Sequence, residues 1–282
     1  MIIDFHTHTF PDKIAARAIA QLEQASHSRA FTNGTVEGLK ASMREAGIGA
    51  SVVMPVATNP HQVEHVNDAS IALNNAGAQS GVYSFGCMHP DYPEPESELE
   101  RIAASGIKGI KLHPVYQGTD FDDARYIRIL KACRQLGLIV LIHAGFDIGF
   151  PGMEEAQPEK IRRAVDQVPD LTLVLGHMGS WLCWQKAEKL LSDLGLYIDT
   201  SISIERNDTD GGSEGLGDGL QLLSPAEARD IIRSYGIEHT LFGTDSPWDS
   251  QKRAVEGFKG LGFTPEELCA IQETNARRLL GI

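Results

Sequence analysis

His6 and His8 stand two residues apart in the opening run Asp4-Phe5-His6-Thr7-His8. Side chains alternate across an extended strand, so both imidazoles face one side. Two imidazoles at one strand end can grip a metal ion. Further residues of ligand type close other short apolar runs: His113 after Gly109-Ile110-Lys111-Leu112, His143 after Leu141-Ile142, His177 after Leu175-Gly176, and Asp245 after Gly243-Thr244. Histidine and carboxylate together suit hard and borderline divalent cations. The cysteines Cys87, Cys133, Cys183 and Cys269 are spread singly with no CxxC pair, which speaks against a thiolate zinc site or a disulfide framework. An open, catalytic site is therefore favoured over a closed structural one. No Gly-x-Ser-x-Gly elbow occurs, so nucleophilic triad chemistry is not expected.

These residues need elements to position them. Apolar, β-branched runs predict strands over 2–8, 50–55, 82–88, 107–113, 139–143, 172–177, 196–200 and 240–244. Amphipathic stretches lie between them. Asp12 and Asp122 read as helix caps, as do Ser224 before Pro225 and Thr264 before Pro265, the last with Glu267 completing a capping box. Gly47, Gly106, Gly137, Gly195 and Gly236 stand where a helix hands over to the next strand. Eight strand–helix units imply an α/β chain with a parallel sheet, a (β/α)8 TIM barrel over a single domain, 1–282. A doubly wound open sheet is the alternative. In a barrel the C-terminal strand ends form the mouth, where His6, His8, His113, His143, His177 and Asp245 would converge. The Gly- and Asp-rich stretch 207–219 reads as a loop after the seventh strand, or a cover over the mouth. It has neither P-loop nor EF-hand spacing.

Composition narrows the partners. With 25 basic against 38 acidic side chains the net charge is −13, a poor match for nucleic acid or an anionic membrane. Apolar runs such as 138–142 fall far short of the roughly 20 residues that span a bilayer. The first residues carry no basic n-region, so a cytoplasmic enzyme with a small-molecule substrate is expected. A homodimer is the commonest assembly. His61 and His65 read as a solvated helix face, His27 and His239 as surface, and His89, Trp181 and Trp184 as packing residues.

In its motifs the chain resembles the amidohydrolase superfamily of metal-dependent enzymes. The branch is the amidohydrolase-related one, which includes decarboxylases of the aminocarboxymuconate-semialdehyde type. The resemblance rests on Asp4-Phe5-His6-Thr7-His8, His143, His177 and Asp245. It implies one divalent ion, most simply Zn2+, on His6, His8, His143 and Asp245, with His177 on a second metal or beside the reacting water. In some relatives a carboxylated strand-four lysine bridges two metals. Lys111 sits near that place, so a second ion would need its carboxylation; otherwise it is a substrate-binding or surface ammonium. His113, Gln117 and Trp248 are expected to contact substrate. The implied reaction is hydrolysis of a small ester, lactone or amide, because coordination lowers the pKa of water from about 15.7 to near 7. Asp245 would take the water's proton, and His177 would orient the water or polarise the scissile carbonyl. Non-oxidative decarboxylation of a small carboxylic acid is the alternative, and a metal-free binding barrel the second.

Overall fold

The computed structural model describes residues 1–205 and 221–282. The strands are β1 Ile2–Thr7, β2 Ile48–Val53, β3 Val82–Ser84, β4 Gly86–Cys87, β5 Gly109–Leu112, β6 Ile139–Ile142, β7 Leu173–Leu175, β8 Tyr197–Asp199 and β9 Thr240–Leu241. All neighbours pair parallel, in the orders β1-β2-β3 and β4 through β9. β3 and β4 are the two parts of one strand interrupted at Phe85, whose N–H bonds the Val53 carbonyl at 2.9 Å. That leaves eight strand positions, as the alternation of strands and helices predicts. The first strand meets the end of the last: Phe5 N–H donates to Phe242 O at 2.8 Å, Asp245 N–H to His6 O at 2.8 Å and His8 N–H to Ser246 O at 2.6 Å. The fold is a TIM barrel.

Strand alternation sorts the apolar residues into two layers. Ile139 and Leu141 of β6 join Phe5, Val52, Phe85, Val174 and Leu241 in the inner cluster. Val140 and Ile142 of the same strand pack outward with helix residues such as Leu99, Ile102 and Leu130. Among the described residues, no helix is long and apolar enough to cross a membrane. The stretch 207–219 lies outside the described residues.

Local chemistry sets the helix ends with two departures from expectation. Asp12 is the first residue of helix Asp12–Ser26, which starts after Pro11 with no side-chain cap. The cap of helix Ala124–Leu136 is Asp123 rather than Asp122: its extended backbone lets the carboxylate accept from Arg125 N–H at 2.9 Å. Ser224 with Glu227 and Thr264 with Glu267 both form capping boxes. Gly137 ends helix Ala124–Leu136 at φ +67°, a backbone only glycine takes cheaply. Asp123→Ala is expected to lower stability by about 1 kcal/mol, read as a shift in the denaturation midpoint with an unchanged m-value.

Candidate active site

Each side chain of the mouth sits where a strand ends and the chain turns away. His6 and His8 mark the end of β1, Lys111 and His113 that of β5, and His143 that of β6. His177 follows β7, Asp199 closes β8 and Asp245 follows β9. His177 and Asp245 hold left-handed backbone, with φ +60° and +65°. Such strain in non-glycine residues costs about 1–3 kcal/mol and concentrates at functional sites. Gly243 makes room for His6, since a Cβ there would lie 3.0 Å from the His6 Cβ.

The ligand-type residues form two groups, each with its polar atoms within 4.8 Å of one another: His6, His8 and Asp245, and His113, His143 and Asp147. Hydrogen-bond partners separate the two chemically. In the first group His6 Nδ1 donates to Asp199 Oδ2 at 2.8 Å, and His8 Nδ1 donates to the Met54 carbonyl at 2.8 Å. The neutral rings therefore carry their lone pairs on Nε2, and both face Asp245 Oδ1, at 3.4 Å from His6 and 3.0 Å from His8. Three electron-pair donors meet here, and only a positive centre (a proton, an ammonium or a metal cation) can join them. An acceptor that takes the hydrogen of the far nitrogen is the usual companion of a metal-bound imidazole.

The second group is satisfied within the protein. His113 Nδ1 accepts from Tyr116 N–H at 3.3 Å, so its proton is on Nε2, facing Asp147 Oδ2 at 3.4 Å. His143 Nε2 lies 2.7 Å from the Phe146 carbonyl and must donate to it. Its Nδ1 then accepts from His177 Nε2 at 2.9 Å. Both imidazole nitrogens near Asp147 thus carry hydrogens, leaving no lone pair for a cation. Burial raises the Asp147 pKa, but bonding to His113 and the nearby imidazoles outweigh it, so this carboxylate is held well below its usual range.

Lys111 lies among these residues with 1% of its surface exposed. It is not the surface ammonium that was one expectation. Its Nζ donates to His6 Nε2 at 3.1 Å, the lone pair a cation would use. It makes no ion pair with a carboxylate among the described residues. Burial lowers its pKa to about 8, against the opposing fields of Asp199, Asp245 and Asp147. Burial likewise depresses His6, His177 and His143, and takes His113 to about 3, so the imidazoles stay neutral. Three carboxylates against one ammonium leave an excess of negative charge around Lys111.

The expected ligand set is therefore divided. His6, His8 and Asp245 come together, whereas His143 stands with His113 and Asp147. His177 lies between the groups, with its ring centre 5.2 Å from that of His6 and 4.6 Å from that of His143. Gln117, expected to contact substrate, instead spends its amide on the fold. It donates to the Ala57 and Met88 carbonyls at 2.8 and 2.7 Å and accepts from the Tyr126 hydroxyl at 2.5 Å. Both nitrogens of His113 are used, and its ring stacks on Tyr116 at 3.7 Å and on His143 at 4.3 Å between centres. Trp248 is half-buried beside Asp245, and its N–H donates to the Asp245 carbonyl at 2.9 Å. His61, His65 and His27 are exposed, His239 is half-buried, and His89 is buried in loop packing.

Four residues of the site escaped the sequence reading. Asp199 orients His6, and Ser201 Oγ bonds Asp199 and lies 3.0 Å from His177 Nδ1. A carboxylate ending the apolar run Leu196-Tyr197-Ile198 was the available signal for Asp199. Asp147 and Tyr116 stand in irregular or one-turn segments, where no periodicity points inward.

Comparison with known proteins gives concordant results. The amidohydrolase family model matches residues 3–282. The chain is similar to a TIM-barrel protein from Bordetella bronchiseptica, with a TM-score of 0.73 and 21% identity over 99% of this chain and 98% of that one. It is also similar to 5-carboxyvanillate decarboxylase from Sphingomonas paucimobilis, with a TM-score of 0.70 and 17% identity over 100% and 99%. A third likeness is to a probable 2-pyrone-4,6-dicarboxylic acid hydrolase from Acinetobacter baumannii, with a TM-score of 0.63 and 19% identity over 100% and 99%. No curated protein matches in sequence.

Proposed function

Since the chain belongs to the amidohydrolase family, we propose that it is a metal-dependent hydrolase of small, carboxylate-bearing esters, lactones or amides. One observation carries the reading: two Nε2 lone pairs, each fixed by a partner on Nδ1, face a single Asp245 oxygen. The donor set of two imidazoles and a carboxylate fits a divalent ion of the zinc type. His6, His8 and Asp245 would hold it. Bound there, the ion would supply Lewis-acid polarisation and ease deprotonation of water.

The chain's own residues supply the rest. Burial raises the Asp245 pKa, but the field of its cationic surroundings, the Lys111 ammonium among them, brings it below the usual carboxylate range. It is thus ionised, and its second oxygen can take a proton from water. His177 Nε2 carries the hydrogen it gives to His143, so it is a donor. Released from His143, that N–H would suit the oxygen of a scissile carbonyl rather than abstraction of a proton from water. Lys111 supplies the substrate preference. Once the His6 lone pair is taken up, its buried ammonium loses its acceptor, and a substrate carboxylate provides another. Trp248 would flank that substrate.

Non-oxidative decarboxylation draws support from the same His177 N–H. A carbanion left by departing CO2 needs a proton donor and no base for water. Metal analysis of protein purified without chelator, followed by a substrate panel, tests the proposal. The panel holds small lactones, esters and amides bearing a carboxylate, together with unsaturated and aromatic carboxylic acids. One divalent ion per chain and acid release from the first set are expected. CO2 release alone would select decarboxylation. Neither metal nor turnover would leave a metal-free binding barrel and overturn the proposal.

A further inference from the structure

We propose that Asp4 is a positioning residue: from behind the strand wall it ties the β1 histidines to the turn carrying Asp245, and so sets the gap a cation must fill. The inference rests on the metal reading above. Asp4 stands two residues before His6, yet it does not share the mouth. The β1–β2 register shifts between Asp4 and Thr7, and the Asp4 carboxylate turns toward helix Gln251–Lys259.

The carboxylate is wholly buried and bonded on both sides of the seam. Oδ1 accepts from Thr244 N–H at 3.0 Å and from His6 N–H at 3.3 Å. Oδ2 accepts from the Thr244 hydroxyl at 2.6 Å and from Gln251 Nε2 at 2.7 Å. One side chain therefore grips the backbone of a metal-ligand residue and, at two atoms, the residue immediately before another. Thr244 pinned in this way fixes the entry to the left-handed turn at Asp245, whose φ is +65°.

The surroundings of Asp4 show what this arrangement costs. All four donors are neutral, so no counter-charge offsets the burial of the carboxylate. Gln251 turns its amide N–H to Asp4 and Ser51, which leaves its own carbonyl oxygen buried without a partner among the described residues. A buried acceptor left in that state is destabilising. An apolar residue at position 4 would avoid burying a charge but would strand the Thr244, His6 and Gln251 donors. A carboxylate instead supplies four acceptor sites, enough to take the Thr244 N–H and O–H together. Metal sites demand ligand distances held to about 0.2 Å.

Asp4→Asn tests the idea. It keeps the shape but sets an amide N–H against one of the Thr244 donors. The folded variant, checked by circular dichroism, is expected to bind Zn2+ about 10–100-fold more weakly in chelator competition. The imidazole 15N signals of His6 and His8 in the metal-free protein are expected to move. Wild-type Zn2+ affinity together with unmoved imidazole signals would overturn the proposal. If Asp4→Asn does not fold, Thr244→Val removes one donor, leaves Asp4 in place, and is judged by the same two measurements. Should the wild-type chain itself take up no Zn2+, the metal reading fails. The imidazole signals of the metal-free variant still decide the role of Asp4.

Discussion

Asp245→Asn is expected to abolish binding of divalent metal while leaving the metal-free protein as stable as the wild type or more so. The opposite signs follow from the two lone pairs that face Asp245 Oδ1, at 3.0 Å from His8 Nε2 and 3.4 Å from His6 Nε2. A carboxylate among lone pairs invites a cation. An amide can turn its NH2 toward them and donate to both, filling the gap with hydrogen bonds. The cation then loses its only anionic ligand and its place. With the metal go several kcal/mol of transition-state stabilisation; at about 4 kcal/mol, turnover falls roughly a thousandfold. Elemental analysis and thermal denaturation with and without Zn2+ measure both halves. Stoichiometric metal in the folded variant would refute the assignment of Asp245 as a ligand.

Lys111→Met separates the roles open to that lysine. If Lys111 were carboxylated and bridged two metals, the change would cost metal. As a free ammonium it donates to His6 Nε2 at 3.1 Å, where it competes with a cation. Removing it should leave Zn2+ affinity intact or improve it. Substrate binding should suffer, because truncating one partner of a buried, hydrogen-bonded charge pair costs about 2–5 kcal/mol. KM for a carboxylate-bearing substrate is thus expected to rise by a factor of about 30 or more. An uncharged analogue should be affected little. Metal lost from Lys111→Met, or equal loss for charged and neutral substrates, would exclude the substrate-binding role.

Much of the barrel was legible because its signals are local. Apolar runs of strand length, helix caps and terminal glycines each report on a few neighbouring residues. The eight predicted runs correspond to β1 through β9, with only the break at Phe85 unforeseen. The caps expected at Asp12 and Asp122 erred by one residue: Pro11 takes the first position, and the adjacent Asp122 and Asp123 differ only in backbone angles. Strand-end histidines were equally readable, because an imidazole or carboxylate that ends an apolar run stands out. Asp147 and Tyr116 gave no such signal, being outside regular strands.

The sequence by itself determined which side chains arrive at the mouth of the barrel: alternation and strand order require it, given parallel strands closed on themselves. It could not decide how they divide there. His6, His8, His113 and His143 are the same residue in a string of letters. Whether each offers a lone pair or a hydrogen depends on which atom its other nitrogen meets. Those partners are Asp199, the Met54 carbonyl, the Tyr116 N–H and the Phe146 carbonyl, the first two more than 30 residues away and the last two brought in by a turn. Only the packed chain settles those meetings, and with them the difference between a site that calls for a cation and a neighbouring cluster that is already satisfied.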